Sequence, residues 1–550
     1  MFRRWHTIRV SCGSSILIAA FVMMVVSPST QAATSLSGII KDKTGSPVSG
    51  ALVKVSGSET GLSFMVVSQA DGRYETPELL PGEYTVQAIG GTNQSDVVNH
   101  VPVRDNRQVK ADMVLSVTRV IPPPAKKMAN SDYELLMPAG EGKDQIASRC
   151  VMCHGLDRVV PARKTPEAWQ ITLTRMAYFL EARPDLGGPL SNVDKKSVLD
   201  YLSKNFNRET QRLPEPAVSD PNQHLPARLL EGAETRFVVM EFDTGNDSER
   251  NEFGVDSKGN AWITEGATSF FGKFDPNSLS YTRIEAPADK FPRSLSQIAV
   301  DPQDHVWILD NGSAPNSELL RYDPQNKEFK AFPVPLPQES PKGFLAVLNT
   351  MRFLNGNVWG TGNVSSRVVK LDPRTGKITE YPAPRGSHPY GIAIGGDKAV
   401  WYITNYKNEI IRLDPDTGIQ TPHLAPTPKS GLRRMGADAL GNLWAGAQDS
   451  NKLVKLEIST GKVTEFAVPT KDAGPYSVDV DTKNNLVWFS ERDGDKLGRY
   501  NPDTGAFIEF PLLTAGIEAR RILVDPVNPN RIWWGCASSI DRFGYLEIIE

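Results

Sequence analysis

The chain of 550 residues carries 61 Lys and Arg against 64 Asp and Glu, a net charge of −3, and 39% of its residues are apolar. That length suggests three to four domains with packed cores, and the near-neutral balance offers no basic field for nucleic acid. Four cysteines, Cys12, Cys150, Cys153 and Cys536, are too few for a disulfide scaffold.

Residues 1–33 read as a secretory signal. Arg3, Arg4 and Arg9 precede an apolar run from Ile16 to Val26, and Thr30-Gln31-Ala32 offers small residues for cleavage. The run is shorter than the roughly 20 residues a membrane span needs. The expected mature protein is periplasmic or otherwise exported, has lost Cys12 and has no integral membrane segment; an uncleaved anchor is the alternative.

Residues 35–117 alternate short β-rich runs with turn signals. Leu36–Lys41, Ala51–Ser56, Leu62–Ser68, Tyr84–Ala88 and Val109–Leu115 are separated by Asp42-Lys43-Thr44-Gly45, Asp71-Gly72 and Pro81-Gly82. This spacing predicts a small antiparallel sandwich. The stretch from Ser37-Gly38-Ile39-Ile40 through Gly50-Ala51, with Asp71-Gly72-Arg73-Tyr74 and Pro81-Gly82-Glu83-Tyr84, resembles the carboxypeptidase regulatory-like domain. The resemblance implies an accessory module without catalytic residues. Pro122-Pro123-Pro124 then stiffens a linker over 118–131.

Within 132–208, Cys150-Val151-Met152-Cys153-His154 is C-x-x-C-H, the attachment motif of c-type haem. Two thiols add across the haem vinyl groups and the adjacent imidazole ligates the iron. Zinc would need a second ligand pair, a thioredoxin-like site would need a βαβ context, and a chance match is the third alternative. Helices are predicted from Asp144 to Arg149, from Pro166 to Leu180 after a Thr165 cap, and from Asn192 to Phe206. The motif, Trp169, Thr174-Arg175-Met176 and the Tyr201-Leu202 pair together resemble small c-type cytochrome domains of quinohaemoprotein dehydrogenases. Met176 is the candidate sixth ligand of iron, with Met137 or an open site as rivals and core filling as the plain alternative.

A linker over 209–234 leads to internal repetition across 235–550. Trp262, Trp307, Trp359, Trp401, Trp444, Trp488 and Trp533 recur at intervals of 42 to 52 residues, most within units that run strand, Asp, turn, Trp strand and third strand. A fourth strand, as in Ile378-Thr379-Glu380-Tyr381, completes a blade, and Phe237–Phe242 supplies the one missing from the last unit. The expected architecture is multidomain and mainly β: a small β-sandwich, an α-helical cytochrome c-like domain and a seven-bladed β-propeller.

Trp488-Phe489-Ser490-Glu491, followed by Lys496-Leu497-Gly498-Arg499, resembles the virginiamycin B lyase (streptogramin lyase) propellers. The resemblance implies opening of a cyclic ester by elimination, with mouth histidines and a metal-associated glutamate, matched here by Glu491; Mg²⁺ is the implied ion. The histidines usually follow Pro at an inner-strand start, where this chain has Tyr476 after Pro475 and Tyr390 after Pro389.

Antiparallel pairing of the inner and Trp strands places the start of one and the end of the other at a common rim. Counting along the repeats puts Asn251, Ser296, Asn349, Tyr390, Arg434, Tyr476 and Arg520 in one ring, and Glu265, Asp310, Gly362, Thr404, Ala447, Glu491 and Cys536 in a second. Glu491, Tyr476, Arg434, Tyr390 and Glu265 are the catalytic candidates, with pairing of charges across the rim as the alternative. The leading functional expectation is an exported haem protein for electron transfer whose propeller binds a redox partner protein or small-molecule substrate, extending to a haem-linked oxidoreductase. A lyase or hydrolase with an appended haem domain, and a non-catalytic carbohydrate- or protein-binding propeller, are the alternatives.

Overall fold

The computed structural model describes residues 34–104, 107–121, 130–149, 156, 159–160, 162–181, 188–207, 209–210, 221–245, 252–266, 268–288, 293–311, 317–336, 348–363, 365–384, 387–537 and 540–549. Among them no helix is long and apolar enough to cross a membrane. The expected signal segment, 1–33, lies outside the described residues.

The N-terminal sandwich follows the alternation in its sequence. In the strand Gly82–Gly90, Tyr84, Val86 and Ala88 are buried while Glu83, Thr85 and Gln87 are not. Leu36–Lys41 pairs with Arg73–Glu75 and, in two short pieces, with Val109–Lys110 and Met113–Val114. Leu62–Val67 breaks the alternation, being buried throughout, because Leu62, Phe64 and Val66 pack in the sandwich core while Met65 and Val67 pack in a second core with Phe237, Val239 and Leu546. It pairs antiparallel with Phe237–Asp243, setting Met65 opposite Val239 and Ser63 opposite Glu241.

Seven four-stranded units make up the propeller among the described residues. Six are sheets of consecutive strands, the first being Phe253–Val255, Ala261–Thr264, Phe270–Asp275 and Ser280–Glu285. The seventh runs Arg521–Val524, Arg531–Gly535, Arg542–Ile548 and then back to Phe237–Asp243. The returning strand is the one expected at Phe237–Phe242, and it joins blade 7 to the sandwich in one ten-stranded sheet. Phe274 of blade 1 meets Trp533 of blade 7 edge-on at 6.2 Å, closing the ring.

The recurring Asp and Trp are one device. In five blades the Asp ending the inner strand accepts the indole N–H of the buried Trp, as Asp438 does from Trp444 at 3.0 Å. Asp438 Oδ1 also accepts the backbone N–H groups of Leu440 and Asn442, so a single carboxylate shapes the turn and satisfies the core indole.

Four helices separate sandwich from propeller among the described residues: α1 Asn130–Leu136, α2 Lys143–Arg149, α3 Pro166–Glu181 and α4 Asn192–Asn205. Ser191 and Asp194 form a capping box on α4. Trp169, Leu173, Leu180, Val198, Tyr201 and Phe206 share an apolar core. The Trp169 indole donates to Phe206 O at 2.9 Å and the Tyr201 hydroxyl to Pro138 O at 2.5 Å.

The segment around 222–230 fastens the sandwich to the propeller. Buried Arg119 donates to the carbonyls of Gly91 and Asn222, and Leu230 passes so close to Gly50 (φ +76°) that a Cβ there would lie 2.0 Å from Leu230 O. His224 Nε2 lies 3.1 Å from Leu512 O of the propeller. Desolvation first, then Lys54, pushes this imidazole down to about 4. The unfolded chain therefore binds a proton near pH 6.5 that the folded chain refuses until about pH 4. Stability falls as pH drops through that window, by up to about 3 kcal/mol from this group. Denaturant midpoints measured from pH 7 to pH 4 should decline less steeply in His224→Gln than in the parent.

Candidate functional site

The inner and second strands do meet at a common rim: Pro475 pairs with Glu491, Pro389 with Thr404 and Leu432 with Ala447. Just inside that rim the register shifts in four blades, between Leu295 and Gln297, Pro389 and Ile392, Leu432 and Met435, and Pro475 and Val478. A bulge adds a residue and re-aims its neighbours. Tyr390, Arg433, Arg434 and Tyr476 all lie within these irregular steps, which repeat at the entrance to the axis.

Side chains from opposite sides of the ring meet there. Arg434 of blade 5 forms a bidentate pair with Glu252 of blade 1 at 2.7 and 2.6 Å, and Gln297 of blade 2 donates to the same carboxylate at 2.8 Å. Arg520 of blade 7 donates to the Tyr390 hydroxyl at 2.7 Å and to the Tyr476 hydroxyl at 3.1 Å. The two hydroxyls are hydrogen-bonded to each other. Arg433 and Arg492 approach the Tyr476 ring at 5.6 and 5.9 Å. Tyr390, Tyr476 and Arg520 keep 5–7% of their surface open and Arg434 1%, so the tyrosine end is the less deeply buried.

The electrostatics follow from this crowding. Burial alone would raise the Tyr390 phenol, but the guanidinium groups of Arg520, Arg434 and Arg433 outweigh it and draw it down to about 6. Burial likewise opposes the Glu252 carboxylate, and Arg434 overcomes it to hold Glu252 below its ordinary value. Nearby, burial and the like charges of Arg352 and Arg434 bring Arg521 down to about 9, while burial raises Asp479, which accepts the Val524 N–H at 2.9 Å. The arrangement can stabilise a phenolate and bind negative charge at one point.

Of the sequence candidates, Tyr390, Tyr476 and Arg434 come together. Glu265 does not join them: it is fully buried within blade 1, held by Arg283 at 2.6 Å and by the Tyr281 hydroxyl at 3.0 Å. Glu491 is at the rim in chain position, but its charged neighbours are Glu509 and Lys496 of its own blade. Burial, and then Glu509, push its carboxyl well up. Asp310 is engaged by Arg293 and the Ser294 N–H, and Cys536 is packed in the apolar core of blade 7. Both rings took every rim position to face the axis, whereas positions at the end of the second strand turn into their own blades. Ser296 and Asn349 are half-buried, and Asn251 lies outside the described residues.

Sequence counting missed Glu252, Gln297, Arg352, Arg433 and Arg521. A register shift brings Gln297 to the axis in blade 2 and Arg433 in blade 5, whereas Glu252, Arg352 and Arg521 belong to blades whose inner pairing is regular. The doubled cations Arg433-Arg434 and Arg520-Arg521 at equivalent points of two blades were the signal available.

The expected haem residues Cys150, Cys153 and His154 lie outside the described residues, directly after α2. Met176 is half-buried on α3 and is not part of the packed helical core, whereas Met137 is buried within it. Among the described residues no group of three or more His, Cys, Asp or Glu side chains is disposed to hold a metal ion.

A ring of four-stranded blades around a charged, aromatic axial cluster defines a propeller. Residues 239–534, more than half of the chain, match the virginiamycin B lyase family, and the chain belongs to that family. Residues 35–116 match the carboxypeptidase regulatory-like domain. The selenomethionine-substituted virginiamycin B lyase of Staphylococcus aureus is 25% identical, with a TM-score of 0.50, over 57% of this chain and all of its own. A streptogramin B lyase shares the fold at 23% identity and a TM-score of 0.51, over 58% of this chain and all of its own. No curated protein sequence gives a significant match.

The Glu252–Arg434 pair can be tested by a double-mutant cycle. Glu252→Gln leaves Arg434 buried without its counter-charge and should cost about 3–5 kcal/mol in chemical denaturation. Adding Arg434→Met should recover most of that loss, because an apolar replacement removes the stranded charge.

Proposed function

We propose that the propeller is a lyase that breaks a C–O bond by elimination, with the Tyr390 phenolate as base. The observation that carries this reading is the hydrogen-bonded Tyr390–Tyr476–Arg520 cluster at the mouth, with Arg434 and Glu252 behind it. The phenolate removes a proton from the carbon next to a carbonyl, the developing enolate charge is met by Arg520 and Arg433, and the C–O bond β to that carbonyl breaks. A carbon–carbon double bond forms and the leaving oxygen departs with the bonding pair. Tyrosines stand where the family resemblance implies histidines, so the base changes while the reaction class stays. Membership of the virginiamycin B lyase family supports a cyclic ester as the first substrate to try.

Mass spectrometry of streptogramin B-type cyclic depsipeptides after incubation tests this directly. Elimination yields a ring-opened isomer of unchanged mass, and hydrolysis adds one water. The isomer should appear with a rate that rises through about pH 6 as Tyr390 ionises. Tyr390→Phe should lower kcat by about 10²–10⁴-fold with little change in KM. A hydrated product, no turnover, or full turnover in Tyr390→Phe would each contradict the proposal.

A second reading concerns the helical segment, proposed as a covalent haem c carrier. It is supported by the C-x-x-C-H sequence that follows α2 and by a half-buried methionine, Met176, on α3. Cys150 and Cys153 would attach the haem, and His154 and Met176 would ligate its iron, supplying one-electron transfer. Elimination consumes no electrons, so the haem serves a redox partner rather than the propeller reaction. Export through the segment 1–33 is part of the same proposal, since attachment takes place outside the cytoplasm. A reduced-minus-oxidised spectrum of the purified full chain should show the α-band of c-type haem. The red-edge Met–Fe(III) band should vanish in Met176→Ala, and its persistence would remove Met176 as the ligand.

A further inference from the structure

Blade 3 lacks the aspartate that serves its counterparts. Asp256, Asp301, Asp397, Asp438 and Asp525 accept the indole N–H of Trp262, Trp307, Trp401, Trp444 and Trp533 at 2.8–3.0 Å. In blade 3 the strands Met351–Leu354 and Asn357–Gly362 are joined by Asn355 and Gly356 alone, at φ +50° and +72°. These are the two left-handed positions of a tight type I′ turn. So short a connection brings no carboxylate to the tryptophan. The indole N–H of Trp359, a residue with no exposed surface, has no acceptor among the described residues.

A cleft of about 170 Å³ opens at this place between blades 3 and 4. Its charged lining is Lys370, Lys398 and Arg412 against Asp397, Asp414 and Asp416, with Asn355 and Trp359 beside them, and Arg412 also pairs with Asp414 at 3.6 Å. Asp397 is already engaged by the Trp401 indole and by Arg412 at 2.7 Å. Lys370 Nζ stands 5.3 Å over the Trp359 ring, and neither Lys370 nor Lys398 has an anionic partner within ion-pair distance among the described residues. The cleft lies where the inner strands end, on the face opposite the Tyr390 cluster, which sits where they begin.

We propose that this cleft binds an oxyanion, the carboxylate or phosphate group of a small ligand, which takes the place of the missing aspartate. The group accepts the Trp359 indole N–H, and Lys370 and Lys398 balance its charge. The cleft has room for a group of acetate or phosphate size. The site is independent of the elimination proposed at the axis.

Fluorine NMR of the full chain labelled with 5-fluorotryptophan reads it out, with the Trp359 resonance assigned by Trp359→Phe and, independently, by its displacement in Asn355→Asp. Sodium acetate and inorganic phosphate are titrated separately at constant ionic strength. The Trp359 resonance should move saturably with at least one ion while that of Trp488, also without an acceptor among the described residues, stays in place. Response to acetate alone assigns a carboxylate ligand, and response to phosphate alone assigns a phosphate ligand. Asn355→Asp, which installs a carboxylate beside the cleft, should abolish the response, and Lys370→Ala with Lys398→Ala should weaken it by about tenfold. No saturable movement with either ion, or equal movement of Trp359 and Trp488, would overturn the proposal.

Discussion

The strand Phe237–Asp243 is hydrogen-bonded along both edges, to Arg542–Ile548 on one side and to Leu62–Val67 on the other. Everything at the axis depends on the first of these pairings. It brings together segments some 300 residues apart, so blade 1 is held beside blade 7 and the ring cannot splay. Only a closed ring lets Glu252 of blade 1 reach Arg434 of blade 5, or Arg520 of blade 7 reach Tyr390 of blade 4. The entropy of closing so long a loop grows only logarithmically with length, and a paired, buried strand is enough to offset it. The second pairing makes the sandwich a continuation of blade 7 and leaves the closing strand no free edge.

What the sequence made legible were features that repeat. The tryptophan spacing and the aspartates before it announced the blades, and the structure shows why the two travel together: the carboxylate satisfies the indole and shapes the turn. The returning strand was legible because the last unit lacked one. The extension of the sheet into the sandwich was not, since Leu62–Val67 reads the same whether its edge faces solvent or another strand. The axial cluster was half legible. Tyr390, Tyr476 and Arg434 were found by counting, but Glu252 and Gln297 sit one residue past their counted positions, Gln297 at a bulge, which carries no fixed residue signature. Glu265 and Glu491 stand at the ends of their strands as counted, Glu265 paired with Arg283 and Glu491 set beside Glu509 and Lys496 of its own blade.

The cluster is costly as a structural element. Burying Arg434, Arg520 and Glu252 strips each of water, and well-packed apolar side chains would hold the ring at least as well. What the charge does achieve is to set a phenol among guanidinium groups in a place that water barely enters. There the usual penalty for ionising a buried tyrosine is reversed. The two ends of the blades thus differ: the turn end carries the Asp–Trp device, and the bulged end carries the axial cluster of Tyr, Arg and Glu.

The central claim is that this environment keeps Tyr390 ionised near neutral pH, and it is tested most directly by ultraviolet difference titration of phenolate absorbance in the folded protein. One tyrosine equivalent should ionise near pH 6 in the parent chain and be missing in Tyr390→Phe. A parent chain in which no phenolate appears until about pH 10 would contradict the account.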